Sequence, residues 1–80
     1  MGEMIRSDAT WNAGELSCGE LLMEVRNRLR VMPGKVLRLV ATDIAAFDDL
    51  AAWCRVTGHT LVQADTENAT YWIRSRVECN

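Results

Sequence analysis

The residues of this 80-residue sequence best suited to chemistry are three cysteines, Cys18, Cys54 and Cys79. Their odd number and wide spacing do not suit a disulfide framework. The sequence has no Cys-x-x-Cys pair and a single histidine, His59, so it lacks the ligand spacing of a zinc site. We therefore predict free thiols and neither a metal ion nor a cofactor. A free thiol can act through its thiolate, as a nucleophile or in sulfur exchange.

Cys18 lies in the segment Ser17-Cys18-Gly19-Glu20, directly before a helical pattern. A serine at the N-cap with a glutamate three residues later forms a capping box, in which each side chain binds the other residue's backbone N–H. This pattern predicts that Cys18 is the first residue of a helix. Unpaired backbone N–H groups and the helix dipole favour a thiolate there, and the nearby Glu20 carboxylate opposes this effect by a similar amount. The alternative interpretation of Cys18 is a small buried core residue.

Hydrophobic periodicity predicts two helices. The apolar face of the first is formed by Leu22, Val25, Leu29 and Met32. The apolar face of the second is formed by Phe47, Leu50, Ala51 and Cys54, with Ala46 and Trp53 beside it. Pro33-Gly34 ends the first helix, Thr42-Asp43 offers a cap for the second, and Gly58 ends it. Cys54 is therefore expected to be a buried core residue.

Four apolar segments predict strands, at residues 10–13, 35–41, 60–64 and 70–76. The resulting order is β-α-β-α-β-β, and its two strand–helix–strand units require right-handed crossovers. We therefore predict an α/β (α+β) two-layer sandwich, with a four-stranded mixed sheet and both helices on one face. The other face of the sheet would stay open and would carry Trp11, Arg38, Trp72 and Arg74.

The composition is typical of one small globular domain, with 49% apolar and 25% charged residues. We expect residues 1–80 to form this single domain, with a flexible leader at 1–8 and a flexible tail at 77–80 that exposes Cys79. A net charge of −2 argues against nonspecific nucleic-acid binding. No apolar stretch is long enough to span a membrane, and no secretory signal is visible, so we expect a cytoplasmic protein without membrane contact.

From about residue 10 to residue 76 the sequence resembles the TusA/SirA-like family of small sulfur-carrier proteins. The resemblance rests on residues 11–21, Val25-Arg26, Met32-Pro33-Gly34, Ala41-Thr42-Asp43, Asp49-Leu50, Trp53-Cys54-Arg55 and residues 57–61. This family has the same β-α-β-α-β-β sandwich and a Cys-Pro-x-Pro motif at the start of the first helix. Only Cys18 of that motif carries over, because Gly19 and Leu21 occupy the two proline positions.

The resemblance implies that Cys18 carries persulfide sulfur between a donor protein, of the cysteine desulfurase or rhodanese type, and an acceptor such as a DsrE-like protein. Ser17, Gly19 and Glu20 would support the thiol. Arg26, which follows the family pattern, would lie on a solvated helix face or, as the alternative, would meet an acidic partner near Cys18. Replacement of the prolines leaves the start of the helix more mobile. With one histidine and no phosphate-binding loop, the sequence indicates a sulfurtransferase-type carrier rather than a self-contained enzyme.

Two other functions stay open from the sequence. The chain could be a non-catalytic interaction or regulatory module that kept the fold and lost the relay, with the open sheet face as its surface. A weaker alternative is nucleic-acid binding through a basic and aromatic set formed by Arg38, Arg74, Arg76, Tyr71 and Trp72. His59 is expected to have a capping or core role.

Overall fold

The computed structural model of the protein describes residues 6–77, apart from the side chain of Cys18. The elements follow the order β1 (Ala9–Gly14), α1 (Cys18–Arg30), β2 (Val36–Ala41), α2 (Ala46–Thr57), β3 (Thr60–Asp65), a 3-10 turn (Thr66–Asn68) and β4 (Thr70–Arg74). The predicted order is confirmed. Residues 1–5 of the expected leader and residues 78–80 of the expected tail, including Cys79, lie outside the described residues.

The four strands form one mixed sheet in the order β1-β2-β4-β3. β1 runs parallel to β2, whereas β4 is antiparallel to both β2 and β3. The pairing of β1 with β2 begins at Asp8, whose N–H donates to the Val36 carbonyl and whose carboxylate accepts the Val36 N–H. β1, β2 and β3 therefore all finish at the same end of the sheet, and α1 and α2 both begin there.

The core lies between one face of the sheet and the two helices, as predicted. Leu37 and Leu39 of β2 point into it and are paired across the sheet with Ile73 and Tyr71 of β4. The helices complete the core with Leu21, Val25 and Leu29 from α1 and Ala46, Leu50 and Cys54 from α2. Full burial of each leucine, isoleucine or valine contributes about 1.5–3 kcal/mol, so this layer supplies most of the stability of the fold.

Most of the predicted core-facing stripe of each helix is confirmed, and each stripe differs at its first position. In α1, Val25, Leu29 and Met32 are buried as predicted, but the fully buried residue before them is Leu21, while Leu22 is only partly buried at the edge of the core. In α2 the residues at the centre are Ala46, Leu50 and Cys54, so the prediction that Phe47 faces the core is wrong. Apolar residues adjacent in sequence fit the same period equally well, and tertiary packing selects between them.

Trp11 does not lie on the open sheet face, contrary to the prediction. It is paired with Leu39 in the parallel ladder, and side chains at paired positions share a face, so Trp11 lies on the helix side. The Arg28 guanidinium covers its ring at 4.2 Å from the ring centroid. Trp11 thus closes the flank of the core beside the edge strand β1.

The open face carries the other three predicted residues. Arg38 is paired with Trp72, and Val36 with Arg74, in the positions that alternate with the core residues of β2 and β4. Tyr71 lies on the core side and is buried, and its burial raises its pKa. Tyr71 is therefore not available to stack on a base, which removes one part of the predicted nucleic-acid surface.

Candidate functional site

Cys18 is the first residue of α1, as predicted, and lies at the end of the sheet where three strands finish. Its flanking residues Ser17 and Gly19 are both exposed. The side chain of Cys18 lies outside the described part of the structure, so the direction of its sulfur stays a prediction from the sequence. What the structure establishes is the backbone position of the residue and the two loops around it.

The chain turns sharply from β1 into α1. Gly14 has a φ of +62°, a conformation that glycine adopts without a steric penalty. The Asn12 side chain accepts the Gly14 N–H at 2.8 Å, and the Leu16 N–H donates to the Ala13 carbonyl at 3.3 Å. These bonds fold residues 13–17 into a compact connection, which sets where Cys18 begins the helix.

Thr42 joins this connection to the loop between β2 and α2. Its backbone N–H and its hydroxyl both donate to the Gly14 carbonyl, at 3.1 Å and 2.8 Å. Asp43 then holds the second loop in shape, because its carboxylate accepts the Ala45 N–H at 3.0 Å and its carbonyl accepts the Ala46 N–H at 2.9 Å. Asp43 therefore stabilises the turn before α2, but the N-cap residue of this helix is Ala45, without a side-chain cap bond, so the predicted cap at Thr42-Asp43 is wrong.

The prediction of Ser17 as the N-cap of α1 is confirmed, but the predicted capping bond of its side chain is wrong. Ser17 is the N-cap residue with extended backbone (φ −76°, ψ 170°), but its hydroxyl makes no capping hydrogen bond with the described part of the helix. Only its carbonyl acts, by accepting the Leu21 N–H at 2.8 Å. The first-turn N–H groups of α1, which have no partners inside a helix, are thus left uncovered by Ser17.

The two residues at the family's proline positions differ in their environment. Gly19 is exposed, and no described atom lies within 4 Å of a Cβ placed on it. Leu21 is fully buried, and its N–H bond to Ser17 is one that a proline could not make. Here a buried side chain and one backbone hydrogen bond, rather than two rigid rings, fix the start of α1.

The other predicted supporting residues lie on the surface. Glu20 is exposed in the first turn of α1, and Arg26 is exposed about 12 Å from Cys18 along the helix axis. Among residues 6–77 the described ion pair joins Arg28 to Glu24, with 3.9 Å between the charged atoms. The structure thus places Ser17, Gly19 and Glu20 beside Cys18, and Arg26 at a distance from it.

Two other described side chains of reactive type, a thiol and an imidazole, lie away from this site. Cys54 is buried in the core, and its burial raises the pKa of the thiol to about 11, so it is held as a protonated, unreactive group. His59 lies at the opposite end of the molecule, beyond the C-terminus of α2. Its ring stacks on Trp53 with centroids 5.0 Å apart, and its Nδ1 accepts the Arg76 N–H at 3.1 Å.

The described side chains contain no group of three or more histidine, cysteine or acidic residues placed to hold a metal ion. In the same part of the chain, neither helix has the length and apolar character needed to cross a membrane. The sequence indicated Thr42 as part of a cap and of the family resemblance, but it did not predict the bond of Thr42 to Gly14. That bond joins residues 28 positions apart, and no local pattern signals it.

Comparison with known proteins adds to this geometry. Residues 9–77 match the model of the family described as Sulfurtransferase TusA. A sulfur carrier protein TusA of Pseudomonas paraeruginosa is 36% identical over 74 residues, covering 89% of this chain and 94% of that relative. A protein of the same name from Pseudomonas savastanoi pv. phaseolicola is 35% identical over 77 residues, covering 92% of each chain. These matches agree with the resemblance carried by the motifs around Cys18.

Proposed function

Because this chain belongs to the TusA sulfurtransferase family, we propose that it is a sulfur carrier that relays persulfide sulfur on Cys18 from a donor protein to an acceptor protein. The observation that carries the proposal is the position of Cys18 as the first residue of α1, at the place where the family begins its first helix with cysteine. The family membership confirms the resemblance found in the sequence.

The transfer requires only two exchanges at sulfur. The Cys18 thiolate attacks the outer sulfur of the donor's persulfide, a new S–S bond forms on Cys18, and the donor's S–S bond breaks to release the donor thiolate. The thiol proton of Cys18 passes to solvent, and the leaving thiolate can take up a proton in return. An acceptor thiolate then attacks the outer sulfur on Cys18 in the same way, so the two steps involve no net oxidation or reduction.

The chain supplies a charge environment for the persulfide rather than a set of catalytic acids and bases. The persulfide is an anion, and the N-terminus of α1 offers it backbone N–H groups and the positive end of the helix dipole. Ser17 leaves those amides uncovered by its hydroxyl, which supports their use by an anionic sulfur. Gly19 adds no side chain beside the site.

The partners we propose are the chemical classes that such a relay needs. A cysteine desulfurase or a rhodanese would load Cys18, and a DsrE-like or similar protein with an accessible thiol would unload it. These reactions need a reducing compartment that keeps Cys18 as a thiol, so we place the protein in the cytoplasm.

Mass measurement tests this proposal directly. The protein is incubated with a persulfide-loaded cysteine desulfurase or rhodanese, and we expect a mass gain of one sulfur atom that disappears in Cys18→Ser. Cys54→Ser and Cys79→Ser are the matched controls and should still gain the sulfur. A gain that persists in Cys18→Ser, or no gain with several loaded donors, would overturn the proposal.

A second candidate function is an interaction module that uses the open sheet face. One observation favours it: the indole N–H of Trp72 is buried, and no acceptor for it lies among the described residues. Arg38 is paired with Trp72 on this face. If this function is the correct one, Trp72→Ala abolishes the cellular phenotype while Cys18→Ser leaves it intact, which is the reverse of the result expected for a carrier.

A further inference from the structure

Two large apolar side chains are exposed beside the loop that carries Cys18. Ile44, between β2 and α2, is 99% exposed, and Phe47, in the first turn of α2, is 41% exposed. Single exposed apolar residues are common and need no explanation. These two differ from the others because of where the fold holds them and because of the charges around them.

The loop that presents Ile44 is held in place on both sides. Thr42 bonds twice to the Gly14 carbonyl, four residues before Cys18, and Asp43 accepts the N–H groups of Ala45 and Ala46. The backbone of such a loop loses little conformational freedom when a partner covers it. Since the bonds from Thr42 join this loop to the connection before Cys18, a protein bound at the start of α1 lies beside the loop that carries Ile44.

Among residues 6–77, most carboxylates lie at one end of the fold and many of the cations lie at the other. The Cys18 end, where β1, β2 and β3 finish and both helices begin, carries the carboxylates of Glu15, Glu20, Asp43, Asp48, Asp49, Asp65 and Glu67. The opposite end carries the cations Arg30, Lys35, Arg55, Arg74 and Arg76, with Asp8 as a single carboxylate among the described residues there. Within residues 6–77 the described ion pair lies midway along α1, so none of the carboxylates at the Cys18 end is neutralised by it.

We propose that Ile44 and Phe47 anchor a docking surface for the sulfur-transfer partner, and that this partner presents an apolar recess bordered by lysine and arginine residues. The inference rests on the proposed carrier function. The apolar pair supplies the area that leaves water on binding, and the surrounding carboxylates select a basic border by charge complementarity. The partner's cations also offset the repulsion between these carboxylates and the sulfur anion that must approach Cys18.

Activated peptides test the surface without requiring sulfur carriage. Three peptides, Lys-Leu-Cys-Leu-Lys, Glu-Leu-Cys-Leu-Glu and Lys-Ser-Cys-Ser-Lys, are activated as thiopyridyl disulfides and reacted with the full chain carrying Cys79→Ser. We expect Cys18 to exchange with the first peptide about tenfold faster than with the second at low salt, and this ratio to fall toward one at about 1 M salt. The third peptide should be intermediate, because it keeps the charges and lacks the apolar contacts.

Matched variants separate the apolar contact from general effects. Ile44→Ser should remove most of the advantage of the leucine peptide over the serine peptide, whereas Val56→Ser should leave it unchanged. Val56 is the appropriate control because it is also an exposed apolar residue, at 83%, but lies near the other end of α2. Alkylation of Cys18 by neutral iodoacetamide should be equal in both variants, which shows that the thiol itself is unaltered.

The same variants with a persulfide-loaded rhodanese or desulfurase complete the test. Loading of Cys18 should be at least about tenfold slower in Ile44→Ser than in Val56→Ser. Equal rates in both assays together with a normal sulfur gain overturn the docking surface and leave the carrier function standing. A clear peptide preference without any sulfur gain on Cys18 overturns the carrier function and leaves the surface standing.

Discussion

The two ends of the molecule are constructed in opposite ways. At the end opposite Cys18, side chains close the chain on itself: the Ser75 hydroxyl donates to the Leu29 carbonyl, and Arg76 binds both His59 and the Thr57 carbonyl. At the Cys18 end, the Ser17 hydroxyl makes no cap bond to the described helix, and Ile44 is fully exposed. Side chains at the first end therefore bond within the chain, whereas the surface of the Cys18 end has backbone donors that Ser17 leaves uncovered and an exposed apolar side chain.

Removal of the Leu21 side chain is expected to have the largest effect on stability, because this buried side chain packs the start of α1 against the core. Leu21→Ala should lower the free energy of unfolding by about 2–5 kcal/mol, since it removes a fully buried side chain and leaves a cavity. Leu22→Ala is the matched control and should cost clearly less, because Leu22 is only partly buried. Urea unfolding of both variants measures the difference. An equal or larger cost for Leu22→Ala would contradict the stripe described for α1.

This pair also shows how far the sequence predicts the fold. Strand and helix order followed from periodicity and from turn residues such as Gly34 and Gly58, both of which have positive φ. These signals are local, so the sequence is enough to find them. The choice between Leu21 and Leu22 depends on how α1 rotates against the sheet. The face of Trp11 depends on its register with β2, and a shift of one residue reverses that face.

The candidate site was predictable only in part for the same reason. The position of Cys18 at the start of α1 followed from the local Ser-x-x-Glu pattern and from the family resemblance. The absence of the Ser17 cap bond depends on side-chain geometry at an exposed position, where water competes for the hydroxyl. The bonds from Thr42 to Gly14 and the exposure of Ile44 arise from the packing of two loops, which only the folded chain brings together.

Replacement of Gly58 and of Gly19 by alanine should change the free energy of unfolding in opposite directions at the two ends. Gly58 ends α2 with a φ of +90°, and a Cβ there would lie 3.4 Å from Arg76 Cδ, so Gly58→Ala should destabilise by about 1–2 kcal/mol. Gly19 is in the first turn of α1 with open space around it, so Gly19→Ala should stabilise by about 0.5–1 kcal/mol. Thermal or urea unfolding gives both values. A loss of stability in Gly19→Ala would mean that the start of α1 is more crowded than described.

Two serines give a smaller test of the same contrast. Ser75 is buried, and its hydroxyl bonds to the Leu29 carbonyl at 2.9 Å, so Ser75→Ala should cost about 0.5–1.5 kcal/mol. Ser17→Ala should change the free energy of unfolding by less than about 0.5 kcal/mol, because no cap bond is lost. A cost of about 1 kcal/mol or more for Ser17→Ala is typical of a true N-cap and would show that the Ser17 hydroxyl does cap α1 in solution.

The smallest expected effect is the pH response of the closed end. Burial, and then the positive charge of Arg76, lower the pKa of His59 below its ordinary value of 6.5. As the pH falls, His59 is therefore protonated at a higher pH in the unfolded chain than in the folded chain. The stabilisation from neutral His59 is complete above about pH 6.5 and is lost as the pH falls through the folded pKa. In addition, a protonated Nδ1 could no longer accept the Arg76 N–H.

This response is measured by comparing the wild type with His59→Gln between about pH 7 and pH 5.5, a window that lies above the ordinary pKa of aspartate and glutamate. We expect the melting temperature of the wild type to fall more over this range than that of the variant, since glutamine can accept the Arg76 N–H without titrating. NMR titration of the His59 ring should give a midpoint below 6.5. A midpoint at or above that value would show that the surroundings of His59 do not hold the ring neutral. The end opposite Cys18 would then have no pH-dependent contribution from His59.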